Sequence, residues 1–196
     1  TMSLSTIALA SGKGGVGKSF LACSLAQLSG WTLLDTDPQC SATAWGDTRD
    51  ETPLVITTQL LWVATELKRH SQAIIDTPGA LIGNLSSAMA AVDLVVIPAN
   101  DNRFELEALP ATLAIAQQCG KPAVVVLNRI TPRADVREVI AYITEELSAT
   151  VCPVVIRERA AHKRALLNGQ TAQEAEPDSP AAAEIRDLWA WLQEVG

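Results

Sequence analysis

Apolar residues in this chain gather in short unbroken runs instead of alternating with polar ones. The runs lie at residues 6–10, 31–35, 54–56, 73–76, 94–97, 123–127 and 154–156. A strand with one solvated face alternates, whereas a strand covered on both faces is apolar throughout, as in a parallel sheet. Between the runs lie segments with helical character, at 20–28, 41–46, 59–70, 85–91, 105–118 and 135–147. Strand and helix in alternation predict a three-layer α/β domain with a mostly parallel sheet and sites at the carboxyl ends of its strands. A last helix begins at Ser179-Pro180, a sound N-cap and first turn, and its Ile185, Leu188, Trp189 and Leu192 share a face that should pack on the core. Residues 173–180, acidic and proline-containing, are the one stretch that reads as a linker.

The first predicted strand runs into Gly12-Lys13-Gly14-Gly15-Val16-Gly17-Lys18-Ser19, which fits the phosphate-loop pattern G-x-x-x-x-G-K-[ST]. Its glycines allow backbone conformations that a Cβ would forbid, so successive N–H groups can turn inward around a polyphosphate. Lys18 would reach the β- and γ-phosphates, Ser19 would ligate Mg²⁺, and the helix that follows from Phe20 would point its N-terminus at the anion. Strand, loop, lysine, hydroxyl and helix together predict that the chain binds a nucleoside triphosphate with Mg²⁺. Three further motifs end predicted strands: Asp35-Thr36-Asp37-Pro38-Gln39, Ile74-Ile75-Asp76-Thr77-Pro78-Gly79, and Val124-Val125-Val126-Leu127-Asn128-Arg129.

Lys13 is not required by an ordinary phosphate loop. With it, Lys-Gly-Gly-Val-Gly-Lys resembles the deviant Walker A motif of the ParA/MinD family of ATPases, and the other motifs follow in order from Ser5 to about Glu174. The resemblance implies a P-loop NTPase fold and an ATP-sandwich homodimer in which Lys13 touches the phosphates held by the partner subunit. It implies that Asp37 orients the attacking water, Asp35 supports the Mg²⁺ shell, Asp76 holds Mg²⁺ through water and Asn128 reads the adenine edge. Lys13, Lys18 and Asp37 are thus the candidate catalytic residues, and Ser19, Asp35 and Asp76 the metal set. Nucleotide contacts are expected from Gly12 through Phe20, from Asn128 and from the backbone at Pro153. Two positions depart from the family pattern. Pro78-Gly79 stands where relatives often have two prolines, and Phe20 replaces a second threonine, which removes a hydroxyl near the α-phosphate.

At 196 residues the expectation is a single domain spanning 1–196, large enough to bury about 70% of its unfolded surface. Four scattered cysteines, with no C-x-x-C pair, argue against a zinc site or disulfide framework and for a reducing cytoplasm. No apolar run approaches the roughly 18 residues of a membrane span, and no leader is visible. The net charge of −7 is uneven: residues 121–165 hold eight Lys/Arg against five Asp/Glu, which leaves −10 for the remainder. Arg157, Arg159, Lys163 and Arg164 follow the last predicted strand. A solvated face is the plain reading of that stretch. Similarity to short ParA-type partition and cargo-positioning ATPases implies instead non-specific DNA binding on the nucleoid, and a small ParB- or McdB-like adaptor that stimulates hydrolysis. The cargo implied is a plasmid, a chromosome origin or a carboxysome-like compartment. Metabolic synthetases of the dethiobiotin or cobyrinic acid type share the fold, but Lys13 and the D-x-D-P-Q segment speak against them. MinD-like membrane docking needs a basic amphipathic terminal helix, whereas this one carries Glu184, Arg186, Asp187 and Glu194 and would be repelled by an anionic membrane.

Overall fold

The computed structural model describes residues 4–50, 52–79 and 84–196. In chain order its elements are β1 (Thr6–Leu9), α1 (Lys18–Ser29), β2 (Thr32–Asp35), α2 (Ser41–Gly46), β3 (Val55–Thr57), α3 (Val63–Glu66), β4 (Ala73–Asp76), α4 (Leu85–Ala91), β5 (Leu94–Ala99), α5 (Arg103–Leu106), α6 (Leu109–Gln118), β6 (Ala123–Ile130), α7 (Arg137–Ala141), β7 (Thr150–Val151), β8 (Ile156–Arg157), α8 (Ala160–Leu167), α9 (Ala172–Ala175) and α10 (Pro180–Val195). The sheet runs β3-β2-β4-β1-β5-β6-β7, with β8 added to β6, and every pairing among the described residues is parallel.

Successive strand residues feed two separate cores. Ile7, Leu9, Leu33, Ile74, Leu94, Val96, Val124 and Val126 pack on one face against α1, α2 and α10. Ala8, Leu34, Ile75, Val95, Ile97, Val125 and Leu127 pack on the other with Leu60, Val63, Leu85, Met89, Leu109 and Ala116. Covering both faces is what makes the strands uniformly apolar. The predicted core stripe of α10 is in place: Ile185, Leu188 and Leu192 are buried, and Trp189 meets Trp31 edge-on with ring centroids 4.9 Å apart. Register then sets the site. Leu9 and Asp35 both pair with Asp76, so the ends of β1, β2 and β4 finish level with one another.

Several boundaries differ from expectation, most for a local reason. The helix expected at 105–118 is two helices, because Pro110 lies in the first turn of α6 and could not sit inside a continuous one. The strand expected at 154–156 is displaced, with β7 before and β8 after. Pro153 between them has no N–H to give the ladder. The helix at 59–70 shrinks to a 3₁₀ turn at Leu60–Trp62 and the single turn α3, in which Leu60 and Val63 are the buried residues. The helix at 135–147 becomes α7 continued by a π-helical turn at Tyr142–Glu146, where the Thr144 hydroxyl donates to the Ile140 and Ala141 carbonyls. The linker-like stretch is partly a docked helix. In α9 the Thr171 and Glu174 side chains form a reciprocal capping box, and Glu174 pairs bidentately with Arg49, whose side chain is only 9% exposed.

Candidate functional site

The segment from β1 to α1 wraps a cavity of about 520 Å³ at the carboxyl edge of the sheet. Gly14, Gly15, Gly17, Lys18, Ser19 and Phe20 line it from one side, Asp37 and Gln39 from another, and Pro78 and Gly79 close a third. Sequence-distant motifs therefore meet around one space. Gly12, Lys13 and Val16 are not among the lining residues. The Gly12 N–H donates to Thr112 Oγ1 at 3.1 Å, Val16 is buried, and Lys13 is exposed. Gly79 rests directly on the loop: a Cβ there would come within 2.8 Å of Gly14 Cα. Glycine in place of a second proline is thus what lets the two loops touch.

Lys18 is 6% exposed and its Nζ donates to the Lys13 carbonyl at 3.0 Å. Burial lowers its pKa, and the charges of Asp76 and Asp37 oppose that drop. Asp76 is wholly buried at the end of β4. Neither of its oxygens reaches a well-aligned hydrogen-bond partner among the described residues, although the Ser19 side chain stands near enough to favour the charged form. Burial pushes the Asp76 carboxyl up to about 7; Ser19 and Lys18 oppose the rise, while Asp35 and Asp37 add to it. A buried carboxylate left without partners costs several kcal/mol unless a cation or donor arrives. Such a group beside a lysine and a serine hydroxyl fits a small hard cation. No cluster of three His, Cys, Asp or Glu side chains gathers among the described residues.

Asp35 has a different environment. Its Oδ2 accepts from the N–H and hydroxyl of Thr43, both at 2.8 Å, and its Oδ1 accepts from the Asp37 N–H at 3.1 Å. It ties the first turn of α2 to the Asp37 loop, a job with no visible signal in the sequence because Thr43 lies eight residues away. Asp37 is half-exposed, and its Oδ1 accepts from the Gln39 N–H at 2.9 Å.

On the far side of the loop lies a second cavity of about 260 Å³, walled by Phe20, Asn128, Arg129, Arg157, Arg159 and His162 among others. Asn128 is fully buried. Its Nδ2 donates to the Val16 carbonyl at 2.7 Å, while its Oδ1 has no partner among the described residues. The Asn128 amide packs so tightly on Gly17, at φ 89, that no Cβ fits there. Phe20 meets His162 edge-on at 4.6 Å. Pro153 is exposed and is not among the residues lining this cavity.

A family model described as the CobQ/CobB/MinD/ParA nucleotide binding domain matches residues 7–172. The chain belongs to this family. A maintenance of carboxysome distribution protein A from Gloeobacter kilaueensis is 33% identical over 205 aligned positions, covering 92% of this chain and 93% of its own. Among solved structures, Cyanthece apo McdA superposes with a TM-score of 0.80 at 20% identity, over 96% of this chain and 99% of that one. MinD complexed with Mg-ADP from Pyrococcus horikoshii superposes with a TM-score of 0.79 at 16% identity, over 97% and 96%. These two likenesses establish the ParA/MinD fold.

Within that fold the basic stretch is held by protein partners. Arg157 donates to the Thr131 and Ala134 carbonyls, Arg159 pairs with Glu184, Lys163 with Glu158 and Arg164 with Glu176. Arg157, Arg159 and Lys163 line the smaller cavity, and the Lys163 and Arg164 side chains are 71% and 61% exposed. Among the described residues no helix is long and apolar enough to cross a membrane.

Proposed function

We propose that this chain is a single-domain, ATP-switched dimeric ATPase that positions an intracellular cargo, a carboxysome-type compartment, through a small adaptor protein. The observation that carries the ATPase reading is the convergence of Lys18, Ser19 and Asp37 on one cavity at the phosphate loop, with Asp76 buried beside Ser19 and Lys18 and without a well-aligned partner among the described residues. The cargo reading rests on the 33% identity to a carboxysome distribution protein along nearly the whole of both chains.

Loop N–H groups and Lys18 bind the β- and γ-phosphates. The Ser19 hydroxyl and Asp76 would hold Mg²⁺, which when bound neutralises phosphate charge. Asp37 accepts a hydrogen bond from the attacking water and aligns it, while Asp35, braced by Thr43, fixes the loop that carries Asp37. The free Asn128 Oδ1 supports adenine recognition, since it can accept from the exocyclic amine. Lys13 stands exposed, free to reach phosphates across a dimer seam. Lys163 and Arg164 are the members of the basic stretch best suited to DNA phosphates, because exposed ion pairs are exchanged at little cost. The apolar stripe of α10 lies against the core, away from any lipid surface.

The deciding experiment is sedimentation with ATP, with ADP and without nucleotide. ATP should convert monomer to dimer, and Lys13→Ala should bind ATP yet stay monomeric. Equal dimer with ADP, or an unchanged dimer in Lys13→Ala, would sink the sandwich reading.

A further inference from the structure

Asn128 and Arg129 are neighbours in β6, and in a regular strand neighbouring side chains point to opposite faces. Here both reach the same loop. The Asn128 amide donates to the Val16 carbonyl and the Arg129 guanidinium donates to the Gly15 carbonyl. A bulge makes this possible. Asn128 pairs with Ile156 and Ile130 with Arg157, so Arg129 is skipped in the β6–β8 ladder and sits at φ 58. That left-handed conformation is costly for any residue with a Cβ, and bulges of this kind re-aim side chains beside functional sites. Asn100 braces it: its Nδ2 lies 2.9 Å from the Arg129 carbonyl oxygen and 3.3 Å from that of Asn128. No carboxylate forms an ion pair with Arg129 among the described residues.

Planarity of the trans peptide turns these contacts into a statement about the phosphate side. The C=O and N–H of one peptide point in opposite directions. A Gly15 carbonyl drawn toward Arg129 turns the Val16 N–H away from it, and a Val16 carbonyl drawn toward Asn128 does the same for the Gly17 N–H. Asn128 and Arg129 wall the smaller cavity, Gly15 and Lys18 line the larger one, and Gly17 lies between the two and lines both.

We infer that Arg129 is a positioning residue for polyphosphate: held in a strained bulge, it aims the Val16 N–H at the phosphates as Asn128 aims that of Gly17. The inference rests on the nucleotide reading of this site. The test uses the full chain and titrates ADP and adenosine into wild type, Arg129→Gly and Arg129→Lys, with a thermal melt of each free protein. Glycine removes the guanidinium and also relieves the positive φ. Arg129→Gly should therefore bind ADP about tenfold more weakly while keeping its adenosine affinity, the loss expected for one misaimed charge-facing donor. Its melting temperature should equal or exceed that of wild type. Lysine, which can still donate to one carbonyl, should recover most of the ADP affinity. Unchanged ADP binding in Arg129→Gly, or equal losses of ADP and adenosine, would overturn the role. A wild type that binds neither ligand would overturn the nucleotide reading itself, and the inference with it.

Discussion

Two aspartates stand at opposite ends of β1 under opposite conditions. At the amino end, Asp93 Oδ2 accepts four hydrogen bonds, from the N–H and hydroxyl of Ser5 and of Thr6, at 2.8 to 3.1 Å. Burial would raise its pKa, but those donors outweigh burial and hold the carboxyl below its ordinary value. At the carboxyl end, Asp76 is buried with neither oxygen well paired among the described residues, and burial drives its carboxyl up to about 7 against the opposing Ser19 side chain. One residue type thus clamps the bottom of the sheet and destabilises the top. A satisfied polar group holds structure; an unsatisfied one, kept where it costs stability, is waiting for a ligand.

The sharpest way to break this contrast is Asp76→Asn. Turnover should fall by about 100-fold or more, because the residue that would hold the metal has lost its charge. The free protein should nevertheless become more stable at pH 8. The sign follows from linkage: the folded carboxyl, at about 7, binds its proton more tightly than the unfolded one at 3.8. Its contribution is fully favourable below the unfolded value and is lost as pH rises through the folded one. A gain on the order of 2 kcal/mol, or about 4–8 °C in melting temperature, is expected at pH 8; it should shrink by more than half at about pH 5 and vanish only once the pH falls below the unfolded value of 3.8. A free-state melting temperature that falls at pH 8 would mean that Asp76 is satisfied by the protein after all.

Asp93→Ala is the converse. It leaves two backbone N–H groups and two hydroxyls without their shared acceptor, and should destabilise the fold by about 2–3 kcal/mol. ATP affinity should stay within about twofold of wild type, since the change lies at the other end of the sheet. Chemical denaturation and nucleotide titration read the two effects separately, and a large loss of ATP affinity would end the division of labour between the two ends.

The same distinction explains what was legible in the sequence. The sheet could be read because double-sided burial leaves unbroken apolar runs, and the phosphate loop, Asp37 and Asp76 because their spacing is bound to the ends of those runs. Pro110 and Pro153 marked two of the misplaced boundaries and were open to reading. So was the Thr171-x-x-Glu174 capping box in the supposed linker. The bulge at Arg129 was not, because a skipped residue changes no letter of an apolar run, and neither was the brace between Asp35 and Thr43, made by side chains from different elements. The basic stretch shows the reverse difficulty. Its charges were visible, but their partners Glu176 and Glu184 lie 12 and 25 residues downstream.

Within that stretch, exposure sets the smallest predicted effect and separates structural cations from available ones. Arg159 is 30% exposed and pairs through two nitrogens with Glu184, whose other oxygen accepts the Arg157 N–H. Arg164 pairs in the same way with Glu176, and Lys163 with Glu158, but both of these cations lie well out in solvent. Arg159→Ala should therefore cost about 1 kcal/mol of stability, whereas Lys163→Ala with Arg164→Ala should stay within about 1 kcal/mol for the pair. DNA binding should show the opposite ranking. With four phosphate contacts per ATP dimer, two from each protomer, the log–log salt slope should be about −3.6, and removing Lys163 and Arg164 should flatten it. Arg159→Ala should leave the slope unchanged, because its guanidinium already has a fixed carboxylate. The measurement is a salt titration of random-sequence DNA with ATP bound. If Arg159→Ala flattens the slope while the double variant does not, DNA meets the less exposed cations and exposure is the wrong guide to this surface.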